Sequence, residues 1–429
     1  MRMPFTSRWG TTLVVLAVIG TVLTAGCTSN VQTGTTQARS VTVGALLPLT
    51  GDATSVGANV NATISAAEAD VNNYLAVNNA TIRVQLDVKD TGATPEGALA
   101  AMQALHADGV TAVVGPYSSA ELKAIAPYAG ENGMVLISYG SSVSSLGVAR
   151  ENVFRLVPDD SHQGPALATV MQERGVRLLI AFVRDDVYGN GLINETRTAF
   201  EQQGGVVTEA VPFSPNTTNF SSALDAARPQ LSQVVATYSA GSVGVLFVGF
   251  ENNTVPMLIA ASSDPQWSTV PWYGVAATPI NAILANETAA QSAARLNYTA
   301  VQQVEGQGAS YDRLTQNESV QRTVQTSYGS FAYDAMWIIS RALAETGAQN
   351  ASALRDAIPH IASSYSGITG NTTLNAARDR AYANYDFWTI RSENGTYVKV
   401  KTAQFRTDPL SGAKVIQEPS TSTAASSSA

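Results

Sequence analysis

The chain of 429 residues contains one cysteine, Cys27. A lone thiol near the N-terminus excludes disulfides, cysteine-ligated zinc and a cysteine nucleophile from the rest of the chain. Histidine is almost as scarce. His106, His162 and His360 stand far apart in no H-x-x-x-H pattern, so no metal site is expected from them. Charge is thin too: 14% of residues are Asp, Glu, Lys or Arg, against about 25% in an ordinary domain. The net charge is −8 and there is no basic patch, which makes nucleic acid and anionic membrane surfaces poor partners. Catalytic signatures are missing as well. The chain has no G-x-S-x-G elbow, phosphate-binding loop, H-E-x-x-H or G-x-G-x-x-G. YGNG (Tyr188–Gly191) supplies two glycines of a dinucleotide loop and lacks the third, and the adjacent acids Asp185 and Asp186 read as solvated loop residues. Neither an enzyme nor a cofactor is expected.

What is present begins with an address. Arg2 and Arg8 precede an apolar run, Thr11 to Val22, and then LTAGC (Leu23–Cys27). A positive n-region, an h-region too short for a comfortable span and small residues at a processing site describe an export leader over residues 1–27. The LTAGC stretch resembles a lipobox, which would make Cys27 a lipidated first residue. Residues 28–40 are polar and read as a tether. Twelve N-x-S/T sequons run from Asn61 to Asn394 and suggest a glycosylated exterior protein.

From Val41 a regular alternation sets in. Strands are expected at Val41–Leu49, Ile82–Asp90, Val110–Val114 and Met134–Gly140, with helices at Ala58–Tyr74, Pro95–His106 and Ser119–Asn132. Continuous apolar strands alternating with helices predict parallel α/β layers covered on both faces. The rhythm restarts with strands Val176–Val183, Val206–Phe213, Gly244–Phe250 and Val270–Ala276 and helices from Gly189 and Phe220. FRLVPDD (Phe154–Asp160) reads as a crossover between two lobes. A helix within Ser327–Ala348 carries Trp337, Ile338 and Leu343 as core, and a β-rich ending and a low-complexity tail follow.

GPYSSAE (Gly115–Glu121) stands where a strand enters a helix. Ser118 and Glu121 have capping-box spacing, and a helix N-terminus after a strand also suits an anion. Ligands of open parallel sheets sit beyond the C-terminal strand ends. That edge carries LTGDATSVG (Leu49–Gly57), GPYSS (Gly115–Ser119), YGSSVSS (Tyr139–Ser145), RDDVYGNG (Arg184–Gly191) and GFENN (Gly249–Asn253). Rich in hydroxyls and glycines and without an acid–base pair, it is a surface for holding a small polar ligand.

VGALLPLTGDATSVG, VVGPYSSAE, LISYGSSVSSL, ENVFRLVPDDSHQG, DDVYGNGL, FAYDAM and YSGITGNTTLNAARDRAYANYDFWTI stand in that order between Val41 and Phe405. In these seven stretches the chain resembles type I periplasmic binding proteins, specifically the leucine/isoleucine/valine-binding branch that serves ABC importers. The resemblance implies two Rossmann-like α/β lobes with parallel sheets, joined by three hinge crossovers and closing on ligand. It implies lobe I over 41–157 and 279–362, lobe II and hinge over 158–278 and 363–405, and a tail over 406–429. It places the ligand carboxylate on Ser118 or Ser119 and on Ser141 and Ser142, with Tyr188 and Phe250 closing from lobe II. Two positions depart from the pattern. An aromatic is usual where Val56 stands, and the acid that usually pairs the ligand ammonium is replaced near Ala276, leaving Glu251 or Asp264 as substitutes or a ligand without an amine. The expected ligand is a small carboxylate, an amino acid of branched-chain type. The expected partners are an ABC permease and the lipid anchor, with a monomeric chain held on the outer face of the membrane. A sensor of the same fold, signalling through a membrane partner for another small molecule, is the alternative.

Overall fold

The computed structural model describes residues 38–147, 152–347, 350–408 and 412–417. The leader, Cys27, most of the tether and the tail from Glu418 lie outside them. The first half of the chain runs β1 (Arg39–Leu47), α1 (Thr54–Val77), β2 (Ile82–Asp90), α2 (Pro95–Ala107), β3 (Ala112–Val114), α3 (Ser119–Glu131), β4 (Val135–Ser138) and β5 (Val153–Arg155). These strands form an all-parallel sheet in the order β2-β1-β3-β4-β5. The inner strands β3 and β4 are buried on both sides because helices cover both faces, while the edge strand β2 alternates buried and exposed residues at its start. Leu46, Val113 and Leu136 pack under α2 and α3, whereas Val43, Ala45 and Ile137 face α1 and the later helix at Ser327–Thr346.

The chain then crosses to a second lobe with α4 (Asp160–Glu173), β6 (Leu178–Arg184), α5 (Val187–Gln202), β7 (Val206–Val207), β8 (Val211–Phe213), α6 (Ser221–Thr237), β9 (Val243–Val248), α7 (Glu251–Ser262), β10 (Trp272–Gly274), α8 (Ile280–Ala285), α9 (Glu287–Arg295) and β11 (Thr299–Gln303). The sheet order β7-β6-β9-β10-β11 repeats the first lobe's winding. A return to lobe I gives α10 (Ala309–Thr315), α11 (Glu318–Gln321), α12 (Ser327–Thr346), α13 (Ala351–Ser364) and a small hairpin, β12 (Ser366–Gly367) and β13 (Gly370–Asn371). The last crossing leads to β14 (Asn384–Glu393), β15 (Thr396–Asp408) and β16 (Gly412–Gln417), which extend the second sheet antiparallel beside β11. The chain thus passes between the lobes three times, as expected.

Four sequence expectations are corrected. Residues 279–303 belong with lobe II, because β11 pairs with β10 and β14 in the second sheet and Ile280, Ile283, Ala289 and Ala293 pack in that lobe's core. The segment from 406 is not all tail, since β15 runs to Asp408 and β16 pairs with it. The single strand expected at Val206–Phe213 is two, with Val206–Val207 opposite Leu178–Leu179 and Val211–Phe213 opposite Phe182–Arg184. Helix α1 starts four residues before Ala58. A Cβ at Gly57 would lie 2.1 Å from the Pro48 carbonyl oxygen, so this glycine permits the first turn to pack on the preceding loop rather than delaying the helix.

Candidate ligand-binding cleft

The two sheets point their C-terminal strand ends at each other, and loops from those ends meet in a closed cleft. Lobe I contributes the turn after β3. A Cβ at Gly115 would sit 2.7 Å from the Leu46 carbonyl oxygen, and the residue has φ +126°, a combination that requires glycine. The turn then delivers Tyr117, Ser118 and Ser119. Ser118 is the N-cap of α3. Its hydroxyl accepts from the Glu121 N–H at 3.2 Å and its own N–H donates to Glu121 Oε2 at 2.7 Å, the reciprocal pair of a capping box. Ser119 Oγ accepts from the Ser141 hydroxyl at 3.1 Å and from the Val143 N–H at 3.3 Å. Thus Ser119, Ser141 and Ser142 are brought together, while Ser118 is occupied by the helix end.

Lobe II supplies Tyr188 at the start of α5 and Phe250 at the N-cap of α7, with ring centroids 5.5 Å apart. Tyr117 from lobe I lies 5.5 Å from Phe250 and edge-on to Tyr328 at 5.0 Å. An aromatic wall therefore spans both lobes. Arg184, at the end of β6, stacks 4.2 Å from the Phe250 centroid. It pairs with Asp186 at 2.5 Å and, across the cleft, with Asp52 at 2.8 Å. Ser55 donates to Glu251, and the hydroxyl of Ser144 to Glu195, each across the lobes. Tyr117 OH donates to the Ala277 carbonyl at 3.2 Å. These contacts define a closed conformation.

The hinge forms the floor. Arg155 and Asp379 make a buried two-pronged ion pair at 2.5 and 2.6 Å. Arg155 also donates to the Ser141 and Val143 carbonyls at 3.3 and 2.6 Å, which ties the serine turn to the hinge. Asp160, the first residue of α4, is fully buried. Its N–H donates to the Ser142 carbonyl at 2.7 Å, and its Oδ1 accepts from Gln163 Nε2 at 2.9 Å. Its Oδ2 has no hydrogen-bond partner, nor do the buried hydroxyls of Tyr188 and Tyr385. Burial pushes the Asp160 carboxyl up to about 7; the Ser142 hydroxyl and the Gln163 amide, which favour its charge, offset this only in part. The phenols of Tyr117, Tyr188 and Tyr385 are held well above their usual range by burial first, and next by the neighbouring phenols at Tyr117 and by Asp160 at Tyr188 and Tyr385, so they remain neutral hydrogen-bonding groups.

Position 276 carries no acid; its N–H donates to Gln163 Oε1 at 2.9 Å. Neither substitute named from the sequence fills the gap. Glu251 is engaged with Ser55, and Asp264 is paired with Arg228 at 2.7 Å beyond the far end of α7. A further buried acid, Asp160, lies in the stretch FRLVPDDSHQG, expected as a crossover, with Ser142 and Gln163 bonded to it. Tyr117, Tyr328 and Tyr385 were likewise passed over. The tyrosine inside GPYSS was a legible signal for the first. The other two reach the site through elements distant in sequence, α12 and β14.

Two α/β lobes of matching winding, three crossings and a closing cleft between strand ends define the type I periplasmic binding protein fold. The chain belongs to the family described as the receptor family ligand binding region, whose profile matches residues 59–393. An uncharacterized protein of Methanocaldococcus jannaschii is 29% identical over 417 residues, covering 91% of this chain and 96% of that one. A Leu/Ile/Val-binding protein homolog of Brucella melitensis is 24% identical over 214 residues, 49% of this chain and 54% of its own length. Among solved structures, the leucine-binding protein LivK of Thermotoga maritima superposes with a TM-score of 0.68 at 20% identity, covering 84% of this chain and 97% of that one. A solute-binding protein of an R. palustris ABC transporter, in complex with 4-hydroxybenzoate, superposes with a TM-score of 0.71 at 16% identity, covering 86% and 98%. Among the described residues no helix is long and apolar enough to cross a membrane, and no group of three or more His, Cys, Asp or Glu could hold a metal ion.

Proposed function

We propose that this protein is the extracytoplasmic solute receptor of an ABC importer, closing its two lobes on a small amino-acid-type ligand. The observation that carries the reading is the closed cleft itself. Residues from strand ends of both lobes meet there, and buried polar atoms at Asp160, Tyr188 and Tyr385 lack partners inside the chain. Buried polar atoms are normally satisfied, so a ligand that satisfies them stabilises closure, and the closed form is what a permease recognises. Ser119, Ser141, Ser142, Tyr188 and Phe250 are the proposed ligand contacts. Ser118 serves the helix end. The leader, the lipobox-like LTAGC and the polar segment after it support anchoring through Cys27 to the outer membrane face.

The family profile is that of receptor ligand-binding regions, which favours a second reading in which the same closure signals to a membrane partner. Thermal unfolding with leucine, isoleucine and 4-hydroxybenzoate tests the shared step. A ligand at about 100 times its Kd adds roughly 2.7 kcal/mol, a clear rise in midpoint. If none of these, and no other small amino or aromatic acid, raises the midpoint, the solute-receptor reading falls. Transport and sensing separate on uptake of the stabilising solute by cells with and without this protein.

A further inference from the structure

The sequence places Trp337 in the core beside Ile338 and Leu343. Those two are buried, but Trp337 is only half-buried and lines a cavity of about 350 Å³ on lobe I. The cavity lies where the second crossing ends. Its walls are Tyr333 and Trp337 of α12, Tyr365 and Ser366 at the start of the β12–β13 hairpin, and Gln307 and Ser310 from the end of the crossing. The Gln307 N–H donates to the Ile368 carbonyl at 2.9 Å, which ties the crossing to the hairpin. None of the proposed cleft contacts takes part. We infer that this cavity is a second binding site, separate from the cleft, for a neutral, hydroxyl-rich ring of the size of a monosaccharide. The inference goes beyond the receptor reading above and does not depend on it.

Small-molecule sites usually enclose about 300–1,000 Å³, with aromatic walls and a few placed polar groups, and this cavity has that size and make-up. Three observations decide the class of ligand. First, the wall is aromatic. Around the Trp337 ring stand Tyr74 at 5.3 Å, Tyr365 at 6.1 Å with its plane only 16° away, and Tyr333 at 6.4 Å between centroids. Aromatic faces are negative, so the weakly positive C–H face of a pyranose lies well on them. Second, the side chains that line the cavity carry no charge, and the acids next to it are engaged within the chain. Asp70 accepts from Tyr333 OH at 2.7 Å. Asp334 accepts from Tyr365 OH at 3.1 Å and from the Ile368 and Thr369 N–H groups at 2.9 Å each. Arg341 stacks over the Tyr365 ring at 5.8 Å and is not part of the lining. An ion entering here loses hydration without meeting a counter-charge, whereas a neutral ring does not. Third, donors and acceptors are mixed. Both phenol protons go to acids, which leaves the phenol oxygens as acceptors, and Gln307, Ser310 and Ser366 offer both kinds of group. The Trp337 indole N–H is buried and completes no hydrogen bond within the chain, although the Tyr333 phenol is near enough to feel it. Buried N–H groups are normally satisfied, so a ligand hydroxyl finds a donor there.

The test is calorimetric titration of the full chain with glucose, galactose and N-acetylglucosamine, and with choline and inorganic phosphate as charged counterparts. Saturable binding of at least one sugar and of neither ion is expected. Trp337→Leu should weaken sugar binding about tenfold or more, the scale of losing a stacking aromatic. Gln307→Ala, at the exposed rim, should weaken it about threefold through one lost hydrogen bond. No saturable binding by any of the three sugars overturns the inference, and so does sugar binding that survives Trp337→Leu. Choline or phosphate binding that Trp337→Leu abolishes also overturns it, because the site then reads charge. If Tyr188→Ala abolishes sugar binding, the sugar sits in the cleft, which overturns the inference and leaves the receptor reading standing. Should Trp337→Leu fold poorly, Gln307→Ala decides in its place.

Discussion

Asp160 and Asp159 are neighbours with opposite tasks. Asp159 caps α4, accepting from the Ser161 N–H at 3.1 Å, while Asp160 turns into the hinge with its carboxyl raised to about 7. An acid raised above its usual value holds a proton in the folded chain that the unfolded chain has released. Its contribution to stability is therefore largest below about pH 4 and is lost as pH rises to about 7. Comparing the unfolding midpoints of the unaltered chain and Asp160→Asn from pH 4 to 8 checks this. The groups that bear on Asp160 are Asp159, Arg155, Ser142 and Gln163, with Tyr188, Tyr328 and Tyr385 neutral throughout that range. The serines separate by the same logic. Ser118→Ala should cost about 1 kcal/mol of stability through the lost cap and leave affinity nearly unchanged. Ser142→Ala should weaken binding by roughly 1–3 kcal/mol with little change in midpoint. Equal effects of the two on affinity would refute the division. Sequons also look different at this scale. Asn286, Asn317 and Asn350 cap helices through their side-chain oxygens, and Asn219 and Asn371 hold the N–H two residues on. Local capping accounts for part of the pattern that reads as glycosylation.

At the scale of elements, capping and close approach decide where helices begin. Thr94 accepts from the Gly97 N–H at 3.0 Å and Pro95 opens α2; Asp186 accepts from the Gly189 N–H at 2.9 Å and opens α5. The Pro95 start is legible in its short stretch, whereas Asp186, expected as a solvated loop acid ahead of a helix from Gly189, caps a helix that begins at Val187. The hinge is different. Arg155 lies on β5 and Asp379 far along the chain, and no local pattern announces that they pair. Asp334 on α12 shows the same: it accepts from the Ile368 and Thr369 N–H groups, each at 2.9 Å, and from Tyr365 OH at 3.1 Å, pinning the hairpin β12–β13. Removing one partner of a buried pair strands the other. Asp379→Asn is expected to cost about 3–5 kcal/mol in denaturant unfolding. A loss below about 1 kcal/mol would show that the hinge pair is not fully desolvated.

For the molecule as a whole, the closed state is held by direct contacts between residues of the two lobes. Asp52–Arg184, Ser55–Glu251 and Ser144–Glu195 join the lobes across the cleft. Gly191 on α5 faces Val143 of lobe I, and a Cβ there would lie 2.0 Å from Val143 Cγ2. Gly191→Ala therefore makes a clean test. Alanine in a helix interior is favoured over glycine by about 1 kcal/mol, so the midpoint without ligand should not fall. The added methyl instead wedges the lobes, and ligand affinity should drop severalfold. Small-angle scattering with and without ligand should show a larger residual radius for the variant. Unchanged affinity would mean that Val143 yields freely.

The sequence by itself determined the class of this protein. Strand–helix alternation, glycine turns and helix caps are local, and their order along the chain carried two α/β lobes and the strand-end cleft. It also put the loops GPYSS, YGSSVSS and DDVYGNG at one edge, and they lie side by side there. Tertiary structure alone decided what surrounds the charged groups at that edge. It assigned residues 279–303 to the second sheet, sent Asp264 to an arginine beyond the far end of α7, and left Asp160 buried with one oxygen unmet. The physical reason is that the environment of a charged group depends on which distant residues desolvate it and which pair with it, and neither is encoded in its immediate neighbours.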